Sequence, residues 1–80
     1  MMQMLKLKQL RQSKQMTQGQ LAEAAGLNLR TIQHYEQGSK NLDHARIDTL
    51  MKICIALDCK LTDLIENEEF QQLIEKANLK

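Results

Sequence analysis

The chain has 80 residues, 42% of them apolar, with no proline or tryptophan and one each of tyrosine and phenylalanine, so its length fits one small domain and excludes a second. Its net charge of +1 singles out no partner. The longest apolar run, Ile53 to Leu57, falls far short of the roughly 20 residues a membrane helix needs.

Lys6 and Lys8 break any signal-peptide core near the N-terminus, so a cytoplasmic protein with no membrane contact is expected. Thirteen leucines, ten glutamines and six alanines stand against no valine, which points to an all-α fold. Charge is uneven along the chain. Residues 1–40 hold six Lys/Arg against two acids, a balance of +4, and residues 41–80 hold five against eight, a balance of −3. A polyanion would be drawn to the N-terminal half.

Met4, Leu7 and Leu10 recur every third residue among Lys8, Arg11 and Lys14, which predicts a first helix over about residues 3–14 without a good N-terminal cap. Thr17 opens a Thr-x-x-Gln capping box with Gln20 and predicts a second helix from Gln18 to Ala25, closed by Gly26. Asn28 is the expected N-cap of a third helix that runs to about Gln37 and stops at Gly38. Helices this short are unstable alone and must pack together.

Ile47, Leu50, Met51, Cys54 and Leu57 define one apolar face of a fourth helix over residues 46–57, and Ile53 and Ile55 widen it on either flank. Leu61, Leu64 and Ile65 mark a short fifth helix with Thr62 as candidate cap. Asn67, Glu68 and Glu69 read as the capped, acid-rich start of a sixth over residues 67–79. Its stripe of Phe70, Leu73, Ile74 and Ala77 must be covered by something.

The informative stretch is TQGQLAEAAGLNLRTIQHYEQG, residues 17–38. Ala22 permits a close crossing, Gly26 a tight turn, and Leu21, Leu27, Ile32 and Tyr35 supply the apolar contacts of a helix-turn-helix. With Ile32 and Tyr35 inward, Arg30, Gln33, His34 and Gln37 point outward as hydrogen-bond donors. Any solvent-facing helix is polar, but no acid interrupts this one between Leu29 and Tyr35.

The run LKQLRQSKQMTQGQLAEAAGLNLRTIQHYEQGSKN, followed by LMKICIALDCKLTDLI, resembles the lambda-repressor-like helix-turn-helix domains of the XRE family over about residues 4–66. The resemblance implies a compact five-helix DNA-binding domain, residues 1–66, with an additional C-terminal amphipathic helix at residues 67–80. It places base-reading positions on Leu29, Arg30 and His34, with Asn28, Thr31 and Gln33 beside them. It places phosphate contacts on Gln18, next to Thr17, and on the loop Ser39, Lys40, Asn41. It also pairs Arg11 with Glu36. Gly19 departs from the family's usual helix former, and Lys60 from the usual cap of the fifth helix, so that helix is expected to start late, at Thr62.

The expected function is that of a sequence-specific regulator, a repressor by occupancy, acting as a homodimer on a palindromic double-stranded DNA operator. Ile55, Phe70, Leu73, Ile74 and Ala77 are its expected dimer contacts. The alternative is a protein-interaction or antitoxin-type module on the same fold with weak DNA binding. No enzyme is expected, since Ser13 and Ser39 are the only serines and no phosphate loop or nucleophile–base spacing occurs. Cys54 and Cys59, spaced C-x4-C, match no zinc or thioredoxin pattern, so no metal, no cofactor, no small-molecule ligand and no stabilising disulfide are expected.

Overall fold

The computed structural model describes residues 5–78. Their regular elements are all helical: α1 (Lys6–Ser13), α2 (Gln18–Ala25), α3 (Leu29–Gln37), a 3-10 turn (Leu42–His44), α4 (Ile47–Leu57), α5 (Leu61–Leu64) and α6 (Glu68–Lys76). The all-α expectation and the order of six helices hold. The start of the expected first helix, including Met4, lies outside the described residues.

Local chemistry sets the boundaries of α2 and α3. The Thr17 hydroxyl accepts from the Gln20 N–H at 3.1 Å while the Gln20 side chain accepts from the Thr17 N–H at 2.8 Å. Gly26 and Gly38 close the two helices at φ +67° and +83°, left-handed conformations that suit a residue without Cβ. Gly19 is different. A Cβ there would meet only the Thr17 hydroxyl at 3.9 Å, an ordinary contact. Gly19→Ala is therefore expected to stabilise the protein by about 0.5 kcal/mol or more, read as a Tm a few degrees higher.

Leu7, Leu21, Ile32, Ile53, Leu57, Leu64 and Ile65 are the most deeply buried side chains, so the core lies where α1 through α5 converge. α2 packs chiefly on α3 and α4. The buried side of α4 is Leu50, Ile53 and Leu57, whereas Ile47 and Met51 are half exposed. The helix is thus rotated from the expected face, with α2 and α5 as its main packing partners.

The start of α1 is capped from far along the chain and that of α5 locally. Leu5 offers α1 no side-chain cap, but the Lys6 N–H donates to Glu66 Oε2 at 2.6 Å, and Lys6 Nζ donates to the Ile65 carbonyl at 2.9 Å. α5 starts at Leu61 rather than at the expected Thr62, with Asp63 Oδ2 accepting from the N–H of the N-cap residue Lys60 at 2.9 Å.

α6 begins as expected, with Asn67 Oδ1 accepting from the Phe70 N–H at 3.1 Å, but it ends at Lys76 rather than residue 79, with Asn78 in a left-handed conformation. Phe70 and Ile74 pack against the core of their own chain, in an apolar cleft they share with Leu50, Leu61 and Ile65. The five-helix core is open at that side, so α6 has a surface to cover within the protomer. Asp43 fixes it there by accepting from the Glu66 and Asn67 N–H groups at 2.9 and 3.0 Å. Gln71 Nε2 adds a bond to the Ile65 carbonyl at 2.6 Å, and the His44 ring meets Phe70 edge-on at 5.3 Å. Leu73 and Ala77 remain exposed.

Candidate nucleic-acid interface

The pair α2–α3 is joined by three residues, Gly26, Leu27 and Asn28. The Leu27 N–H closes back on the Ala22 carbonyl at 2.8 Å, and Ala22 is buried at the crossing. Asn28 Oδ1 caps α3 by accepting from the Arg30 N–H at 2.8 Å. This spends the oxygen of Asn28 and leaves its amide NH2 as the group to meet a ligand.

Along α3, Ile32 and Tyr35 are buried and Arg30 and Gln37 are exposed, as the 100° step requires. Leu29 opens the helix with 43% exposure, an apolar group suited to a thymine methyl. Thr31, Gln33 and His34 are half-buried. His34 departs from the simple outward donor that was expected. Its Nδ1 lies 2.9 Å from Ser39 Oγ, and that hydroxyl donates to the His34 carbonyl at 3.2 Å. Nδ1 is thereby held by the loop, and Nε2 is the ring nitrogen left to meet a base edge.

The expected phosphate-holding segments come together at one end of the helix pair. Gln18, at the start of α2, donates from Nε2 to Glu36 Oε1, near the end of α3, at 3.0 Å. The loop Ser39, Lys40, Asn41 follows directly, with the Lys40 N–H bound to the His34 carbonyl at 3.2 Å. Asn41 Oδ1 is occupied by the Asp43 N–H at 2.9 Å, while Lys40 is exposed. Gln18 is the departure here, since its amide braces Glu36. The capping box satisfies Thr17 and Gln20 but leaves the backbone N–H groups of Gln18 and Gly19 open at the positive end of α2.

Behind this face, Arg11 and Glu36 form a two-pronged pair: Nε to Oε2 at 2.6 Å and Nη2 to Oε1 at 3.0 Å, with the side chains only 10% and 3% exposed. Nη1 donates to the Met16 carbonyl at 2.7 Å. The hydrogen-bonded Glu36 carboxylate raises the Arg11 pKa above its already high value, burial opposing. One guanidinium thereby ties α1, the α1–α2 loop and the end of α3. The family resemblance pointed to the Arg11–Glu36 partnership; the third partner, Gln18, carried no sequence signal.

A short bracing helix, a three-residue turn and a second helix with an exposed polar face, supported from behind by a buried ion pair, define a helix-turn-helix unit. The match to known families is specific. Residues 6–69 match the model of the Cro/C1-type HTH DNA-binding domain, and the chain belongs to that family. Comparison with curated proteins and with solved structures finds no match. Among the described residues no helix is long and apolar enough to cross a membrane.

Proposed function

We propose that this domain is a sequence-specific transcriptional regulator that binds double-stranded DNA as a homodimer and represses by occupying a two-fold-related operator, with α3 in the major groove. The observation that carries this reading is the juxtaposition of an exposed, acid-free reading face on α3 with an exposed lysine loop and open backbone N–H groups at the same end of the helix pair. Phosphate contacts from Lys40, Ser39, Asn41 and the start of α2 at Thr17 and Gln18 would set register, and base-edge contacts from Asn28, Leu29, Arg30, Thr31, Gln33 and His34 would select sequence. Arg30 is matched to guanine O6 and N7.

Selection of bound duplexes from a random pool supplies the preferred site, and titrations at several salt concentrations test the roles. Arg30→Ala is expected to cost about 1 to 3 kcal/mol on that site and to relax preference at one base pair. Lys40→Ala should weaken all sequences alike and reduce the salt slope by about one. An Arg30 variant with unchanged base preference would remove Arg30 from the reading set. Absence of any salt-dependent duplex binding by the parent would favour a protein-interaction module instead.

A further inference from the structure

The end of α4 brings two thiols together. Asp58 takes a left-handed φ of +50°, its N–H bonds the Ile55 carbonyl at 3.3 Å, and the Cys59 N–H bonds the Cys54 carbonyl at 3.1 Å. These are the paired bonds of a Schellman closure, in which the side chains at the first and last positions meet. Both of those positions are cysteine here. Both cysteines are free and only half-buried, and they lie close enough to shift each other's titration. A closure of this kind brings its ends into the range of roughly 4.4 to 6.8 Å between Cα atoms that a disulfide spans, with no need for the backbone to open.

We propose that Cys54 and Cys59 form a peroxide-oxidisable dithiol site in which Cys54 is attacked first and Cys59 resolves it. The Cys54 sulfur forms an S–O bond with hydrogen peroxide as the O–O bond breaks, and the departing hydroxide takes a proton and leaves as water. The Cys59 sulfur then bonds to the Cys54 sulfur, the S–O bond breaks, and the hydroxyl leaves as a second water with the proton of the Cys59 thiol. Two thiols are oxidised by two electrons and one peroxide is reduced to two waters.

The environment orders the two roles. The interaction with Cys59 holds the Cys54 thiol below its ordinary pKa against burial and the charge of Asp63. The same interaction, with burial, pushes Cys59 up, and Lys14 opposes it. Cys54 is thus the better thiolate and Cys59 the retained proton donor.

The test uses the full chain, reduced, without DNA, so its outcome is independent of the proposed regulatory role. After treatment with about one equivalent of hydrogen peroxide, free thiols are blocked with N-ethylmaleimide and the intact mass is read. The expected product is a monomer lighter by two hydrogen atoms that accepts no maleimide until dithiothreitol restores it. Cys59→Ser should halt at a sulfenic acid on Cys54 that dimedone captures, and Cys54→Ser should lose its remaining thiol about tenfold more slowly than Cys59→Ser. Intermolecular disulfides as the main product, or a parent still taking up two maleimides, would overturn the site. Equal rates in the two single variants would overturn the order of attack.

Discussion

Replacing Arg11 by alanine is expected to destabilise the protein by about 3 to 5 kcal/mol, a large part of the 5 to 15 kcal/mol that holds a typical domain together. The Glu36 carboxylate, 3% exposed, accepts two bonds from Arg11 and one from Gln18. Deleting the guanidinium leaves that charge with the neutral Gln18 amide alone and frees the Met16 carbonyl as well. The exposed pair Arg46–Asp48, at 3.2 Å, is the internal contrast: its side chains are 84% and 51% exposed, and its loss should cost between about 0 and 1 kcal/mol. Thermal melts of the two variants give the comparison. The double variant Arg11→Met, Glu36→Leu should recover much of the loss, since the cost comes from stranding a charge more than from losing the attraction. An Arg11→Ala protein that melts with its parent would show that Glu36 reaches water, and the pair would not be the brace of the helix-turn-helix.

What was legible in the sequence was local. The Thr17–Gln20 capping box, the Asn28 and Asn67 caps and the glycine stops at Gly26 and Gly38 depend on residues within a turn of one another, and each stands where its spacing put it. Contacts that join distant segments left no such trace. Glu66 capping α1 across 60 residues, and Asp43 holding the start of α6, depend on how the helices are arranged in space. The rotation of α4 was hidden for another reason: eight of its eleven residues are apolar and fit more than one buried face, and only the packing in space selects Leu50, Ile53 and Leu57. On α3, residue types showed that polar groups lie along the helix, but the pinning of His34 by Ser39 depends on the loop folding back.

Introducing charge on the outer side of α4 and α6 is expected to separate dimer formation from folding. Phe70 and Ile74 are half-buried against the core of their own chain, whereas Ile47, Met51, Ile55 and Leu73 remain 53%, 50%, 79% and 59% exposed. Ile47, Met51 and Ile55 recur every fourth residue along one side of α4, and Ile47 and Leu73 line the same apolar cleft. A monomer would leave this surface in water, and a second copy is the occupant we propose, because recognition helices must be held about 34 Å apart to meet successive major grooves. Truncation at Glu66 is a poor test, since it would also strip α6 from Leu61 and Ile65. Met51→Glu and Leu73→Glu leave the internal core untouched. Combined, they should give a folded monomer at concentrations where the parent sediments as a dimer. Affinity for a two-half-site operator should fall about 100-fold, while binding to an isolated half-site stays unchanged, because the second contact loses its high effective concentration. A parent that stays monomeric at high concentration, or a doubly charged variant that still dimerises equally well, would exclude this surface as the interface.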